Sequence, residues 1–296
     1  MRDMIRHKKA VVTALTLLAL VFGTSGVFAA AVGAKPDTSG RNTINGIDYY
    51  WEVSGKGEPL LLLHGGLLSI DSFAPAMPVF KGRQVIAVDL QGHGRTTLGT
   101  RPIRCEAIAD DLDTLLGQLG RAQTDVLGYS FGGCVALRLA IQHPERVRRL
   151  VLVSTPFAAD GWYADMRVQQ TQLSAAMMPT MAETPMYKTY KAVAPTVDDF
   201  PRLLDAMGDF MRREYDWSAD VAKLKPTVML VFGDADMVRP EHAIRFYQLL
   251  GGGLKDAGWN REHMSKNRLA IIPDLTHYEA FADTRVAQTA LAFLDR

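Results

Sequence analysis

Short uninterrupted apolar runs alternate with amphipathic stretches along most of the chain, and turn residues separate the two. The runs cover 59–63, 84–88, 125–127, 147–153, 227–232 and 269–272. Strands that are apolar throughout belong to a sheet covered on both faces. An earlier segment, 47–53, alternates instead and predicts an edge strand. Between the runs lie helical patterns. Residues 105–119 place Ile108, Leu112, Leu115, Leu116 and Leu119 on one face, spaced three and four apart. The segment after Ser130 carries Val135, Leu137, Leu139 and Ala140 and stops at His143-Pro144. Pro240 opens a helix, where its missing N–H costs nothing, and 251–253 end it in glycines. A last helix covers 285–294, capped by Asp283 or Thr284. Strands alternating with helices indicate parallel βαβ units. The predicted fold class is therefore α/β, with a mostly parallel, doubly wound sheet.

One stretch breaks this rhythm. Residues 156–217 show no strand signal, only short helical pieces separated by Pro156, Pro179, Pro185, Pro195 and Pro201. Such an insertion between two core strands predicts a helical cap, with 46–155 and 218–296 forming the core. Seven of the thirteen methionines fall in the cap: Met166, Met177, Met178, Met181, Met186, Met207 and Met211. Methionine suits a surface that adapts to varied apolar ligands, and equally well the interior of the cap itself.

The N-terminus is a different material. Arg2, Arg6, Lys8 and Lys9 precede an apolar run over 10–22, then Gly, Ser and Thr, then Val27-Phe28-Ala29. That is the layout of an export signal over residues 1–30, cut near Ala29 or Ala31. The protein is thus expected to be periplasmic or secreted. The alternative is an uncleaved membrane anchor formed by 10–34, the one route to membrane contact. Residues 31–45 are expected to be a linker. Removing the signal takes the formal charge from +1 to about −2, with no basic face that would suggest a nucleic-acid partner. Cys134 lies within the helix after Ser130 and Cys105 opens another helix; nothing in the sequence pairs them. Oligomeric state leaves no trace in the sequence.

The chemistry concentrates at Gly128-Tyr129-Ser130-Phe131-Gly132, between a predicted strand and a predicted helix. This is the G-x-S-x-G nucleophile elbow, in which a sharp turn lifts the serine hydroxyl clear of the sheet. Upstream, Leu61-Leu62-Leu63-His64-Gly65-Gly66 ends a strand in a His-Gly turn. With these two motifs and the late His277, the chain resembles the α/β-hydrolase superfamily over 50–296. The resemblance implies an oxyanion hole made by the backbone N–H groups of Gly66 and Phe131, with His64 structural. It also implies a G-x-x-D acid turn in Gly233-Asp234-Ala235-Asp236, whose second acid meets the histidine, while Asp234 caps the turn. The loop 249–267 is longer than in many members, and either lines the site or pads the surface.

Seven histidines compete for the role of general base. His7 leaves with the signal, His143 sits at a helix end facing solvent, His242 lies on a charged helix and His263 in a polar loop. His93 falls in a turn near the site. His277 follows the last strand, giving the chain order Ser130, Asp236, His277. The expected activity is hydrolysis of a carboxylic ester of a small-molecule substrate through an acyl-enzyme, without cofactor or metal. Carbon–carbon bond hydrolysis or perhydrolysis by the same triad is the enzymatic alternative, and a binding protein on this scaffold the non-enzymatic one.

Overall fold

The computed structural model describes residues 35–296, so the signal or anchor expected over 1–34 lies outside the described residues. Eight strands form one sheet in the order β1-β2-β4-β3-β5-β6-β7-β8. They are β1 (Thr38–Ile44), β2 (Ile47–Ser54), β3 (Pro59–Leu63), β4 (Gln84–Val88), β5 (Thr124–Tyr129), β6 (Val147–Val153), β7 (Thr227–Ala235) and β8 (Arg268–Thr276). The pairings β1–β2 and β2–β4 are antiparallel, and every other pairing is parallel.

The apolar runs are continuous because each strand feeds two cores. Leu61, Leu63, Ile86, Val88, Val126, Leu150, Leu152 and Leu230 pack on one face. Helices α1 (Cys105–Gln118), α2 (Phe131–Gln142) and α8 (Pro240–Leu249) cover that face with Leu112, Leu137 and Phe246. Leu60, Leu62, Val85, Ala87, Leu127, Val151 and Val231 pack on the other, under α9 (Thr284–Leu294) and Phe73 and Phe80. Asp283 caps α9, its side chain accepting from the Arg285 N–H.

Two expectations are corrected at the N-terminal edge. Part of the presumed linker, Thr38–Ile44, is strand β1, so 47–53 is an inner strand and β1 is the edge. Thr38–Ile44 is polar because an edge strand exposes much of its surface, which erases the apolar signal. The hairpin did leave a mark in Asn45-Gly46, whose φ of 48° and 81° are those of a tight turn matched to strand twist.

Between β6 and β7 the inserted segment consists of α3 (Ala164–Thr171), α4 (Met178–Met181), α5 (Pro185–Val193) and α6 (Phe200–Met211), with short 3-10 turns, and α7 (Ser218–Val221) then packs on α8 of the core. The segment's methionines are mainly its own interior. Met181, Met186 and Met207 are buried, while Met177, Met178 and Met211 pack against them partly covered. The loop over 249–267 joins the end of α8 to the start of β8, at the opposite end of the strand from His277. It pads the surface, and Asn267 ties it down by accepting from the Val228 N–H (2.7 Å) and donating to the Leu250 carbonyl (2.6 Å). Among the described residues no helix is long and apolar enough to cross a membrane.

Candidate active site

Ser130 stands where β5 turns into α2, with φ 51° and ψ −114°. A non-glycine residue there carries strain of about 1–3 kcal/mol, which the surroundings must hold in place. They do so through the Ser130 N–H, which donates to the Val153 carbonyl (3.0 Å), and the Ser130 carbonyl, which accepts from the Cys134 N–H (3.0 Å). The flanking glycines permit the turn. A Cβ on Gly128 would stand 2.4 Å from the Gly132 carbonyl oxygen, and one on Gly132 would stand 2.3 Å from that of Leu63. Neither clash is with a movable side chain.

The ends of three parallel strands converge on this point. His277 follows β8, and its Nε2 lies 3.0 Å from Ser130 Oγ. Its Nδ1 lies 2.9 Å from Asp236 Oδ1. The structure thus brings together the three residues expected from the sequence, separated by as many as 147 positions. Asp236 is nearly buried yet well supplied with donors. The Val238 N–H donates to Oδ1 (3.1 Å), and the Gly233 N–H (3.4 Å) and Ser154 hydroxyl donate to Oδ2. Burial pushes its carboxyl up, but His277 and these donors together hold it below its ordinary value. The β7–β8 register shifts between Gly233 and Ala235, an irregularity that re-aims the residues beyond it. Asp234 stays exposed and accepts instead from the Leu275 N–H (3.3 Å).

Gly66 and Phe131 are neighbours, for a Cβ on Gly66 would lie 3.8 Å from that of Phe131. Phe131 is the first residue of α2, so its N–H has no partner within the helix and adds to the positive end of the helix dipole. His64 holds the turn: its Nδ1 lies 2.8 Å from the Gly65 carbonyl and its Nε2 accepts from the Leu90 N–H (3.0 Å). Burial lowers its pKa to about 4, so the ring is neutral, as that pairing requires. His242 lies on the charged helix α8, as expected, but its ring faces inward. It is buried, its Nε2 accepts from the Phe157 N–H (3.1 Å) and its ring stacks on Phe157 at 4.0 Å. His143 is half-buried, bonded to Asp110 at 2.8 Å.

Sequence reasoning missed three supporting residues. Ser154, also at positive φ (51°), directly follows β6 and holds Asp236. The signal was its place at the carboxyl end of a central parallel strand, where α/β sheets collect functional groups. Tyr129, the variable residue before the nucleophile, donates its hydroxyl to the His277 carbonyl (2.6 Å). Trp162 sets its ring at a steep angle to His277, 5.6 Å between centroids, and no local pattern announced it. Cap and core meet over the serine through Phe210, edge-on to Phe131 at 5.1 Å, and Met207, whose Cε stands 3.0 Å from a Cβ placed on Gly66.

The sequence profile of the alpha/beta hydrolase fold matches residues 58–257, about two thirds of the chain. The chain belongs to the α/β-hydrolase fold family. Over 110 residues it is 41% identical to a 2-hydroxymuconate semialdehyde hydrolase of Pseudomonas sp. (strain CF600), covering 34% of this chain and 38% of that one. Over 91 residues it is 40% identical to the mouse (Mus musculus) sn-1-specific diacylglycerol lipase ABHD11, covering 31% of this chain and 29% of that one. The chain thus aligns with less than half the length of these relatives. Among solved structures, the enol-lactonase from Burkholderia xenovorans LB400 superposes with a TM-score of 0.65 over 87% of this chain and 100% of its own, at 16% identity. That likeness is one of α/β-hydrolase fold.

Proposed function

We propose that the protein is a serine hydrolase that cleaves a carboxylic ester, or a related acyl bond, of a small apolar substrate through an acyl-enzyme. The observation carrying this is the unbroken line of contacts from Ser130 Oγ to His277 Nε2 (3.0 Å) and from His277 Nδ1 to Asp236 Oδ1 (2.9 Å). His277 takes the Ser130 proton as the oxygen attacks the carbonyl carbon. The N–H groups of Gly66 and Phe131 stabilise the tetrahedral oxyanion, aided by the N-terminal end of α2. Collapse of this intermediate expels the alcohol, which leaves with the proton held on His277. Water then enters, loses a proton to the same nitrogen and releases the acid. Asp236 keeps the imidazole in the tautomer that accepts at Nε2 and stabilises the imidazolium that forms. Trp162, Met207 and Phe210 around the serine favour an apolar acyl or alcohol group.

Purified protein should hydrolyse p-nitrophenyl butyrate, and Ser130→Ala should abolish turnover while leaving the circular dichroism spectrum unchanged. Equal turnover by the variant would sink the assignment. A second reading, carbon–carbon bond hydrolysis with the same triad, is favoured by the likeness to a 2-hydroxymuconate semialdehyde hydrolase. A kcat/KM for 2-hydroxymuconate semialdehyde well above that for any p-nitrophenyl ester would select it. Turnover of neither substrate class would point to a binding protein. The N-terminal composition supports export, tested by sequencing the mature N-terminus: a start between 30 and 32 fits a cleaved signal, and a start at Met1 an anchor.

A further inference from the structure

Behind the elbow, two helices bring the chain's two cysteines together, a pairing that nothing local in the sequence announced. Cys105 is the first residue of α1 and Cys134 lies in the first turn of α2. The two helices pack side by side, both cysteines belong to the same buried cluster, and each lies in the other's immediate surroundings. Both side chains are buried, at 1% and 3% exposure, and both are free thiols in this structure. Tyr215 of the cap lies beside Cys134 and Trp162, the latter being the residue against His277. A thiol is a weak donor and a weak acceptor, so this contact adds little that alanine or valine packing would not. What two adjacent cysteines can do, and other small apolar residues cannot, is form a covalent bond.

We propose that Cys105 and Cys134 are a disulfide site, bridged when the chain folds under oxidising conditions, which ties α1 to the helix carrying the nucleophile. The electrons go to a disulfide-bearing oxidant, either a thiol–disulfide oxidoreductase or a small-molecule disulfide. One cysteine thiolate attacks the oxidant's disulfide and displaces one thiol. The other then attacks the mixed disulfide and displaces the second, so two protein thiols lose two protons and two electrons and the oxidant becomes two thiols. Exchange precedes the docking of α1 on α2. In the folded chain, burial and the neighbouring sulfur hold the Cys105 thiol well above its ordinary pKa, which suppresses the reactive thiolate. Once formed, the bridge is shielded from reductants by the same packing. It closes a loop of roughly thirty residues that contains β5 and Ser130. The bridge is independent of which acyl bond the triad cleaves.

The test is to unfold the full chain, refold it in a reduced/oxidised glutathione buffer, then open it in denaturant without reductant and alkylate it with N-ethylmaleimide. Expected are no alkylated cysteine, a mass about 2 Da below the dithiol form, and a Tm about 5–10 °C above that of the reduced protein. Cys105→Ala and Cys134→Ala should each show a Tm indifferent to reductant. Chain produced directly in an oxidising compartment gives the same readout without refolding. Two alkylated cysteines per chain, a glutathione adduct in place of the bridge, or a bridged form less stable than the dithiol form would overturn the proposal.

Discussion

Helix α2 has a histidine–aspartate pair at each end, and the two pairs are nearly alike in length. At the N-terminal end His277 meets Asp236 at 2.9 Å, and at the C-terminal end His143 meets Asp110 at 2.8 Å. They differ in everything around them. Asp236 has 1% of its side chain exposed and Asp110 has 56%. The second ring nitrogen of His277 meets a hydroxyl on a strained turn, whereas that of His143 faces Asp113 at 3.9 Å, itself already bonded to Arg146. The dipole of α2 presents partial positive charge to an oxyanion at Ser130 and partial negative charge to His143. An imidazole–carboxylate pair is thus poised for catalysis only where burial removes competing water and a nucleophile stands on the other nitrogen.

Breaking the nucleophile should separate the two ends most. Ser130→Ala is expected to lower kcat/KM for p-nitrophenyl butyrate by about 10⁴–10⁶-fold. More than a tenth of the activity remaining would erase the distinction. The carboxylates come next. Asp236→Asn keeps the shape but strands the imidazole in the wrong tautomer, for a loss of about 10³–10⁴-fold in kcat. Under the same assay, Asp110→Asn and Asp234→Asn should each change kcat by less than about 3-fold, with Tm essentially unmoved. A large loss from either would mean that the two ends are coupled.

Acid should act on the histidines buried around the elbow and behind the cap rather than on either pair. Burial lowers His64 to about 4 and, with His64 beside it, His93 to about 3; burial likewise lowers His242 to about 4. Their folded values lie below the unfolded one, so the unfolded chain binds more protons. The stability that they contribute is complete above roughly pH 6.5 and is lost as pH falls toward 4, at up to about 1.4 kcal/mol per pH unit per group. Asp89, raised to about 6 by burial, acts in the opposite direction over part of that window, but it is one group against three. A Tm measured from pH 7 to 4.5 should therefore fall, and a flat profile would contradict the burial of these rings. Smallest is the effect of the cap. Met207→Ala should open space beside Gly66 and shift preference toward longer acyl chains by about 3–10-fold in kcat/KM, read from a p-nitrophenyl ester series. An unchanged chain-length profile would place substrate elsewhere.

The chemistry was legible wherever the backbone itself is constrained. Ser130 could be read because a strained turn between strand and helix demands glycine at 128 and 132 for steric reasons confined to a few residues. The roles of His64 and the turn at Gly65-Gly66 were legible only through the family resemblance. Strand β1 was not, because an edge strand needs little hydrophobicity, although Asn45-Gly46 held the hairpin's turn signature. The burial of His242 was not legible because its own helix is charged while the ring turns inward toward Phe157, a contact across 85 positions.

By itself the sequence determined the alternation of elements and the strand–turn–helix that sets Ser130 on a strained turn. These follow from periodicity and local sterics, which act over a few residues. Only the tertiary structure decided that Ser154 steadies Asp236, that Tyr129 holds the His277 carbonyl, that Trp162 closes on the imidazole, and that two cysteines from different helices share one buried cluster. Each depends on which strand ends lie side by side in the sheet, and that adjacency comes from burying two cores at once.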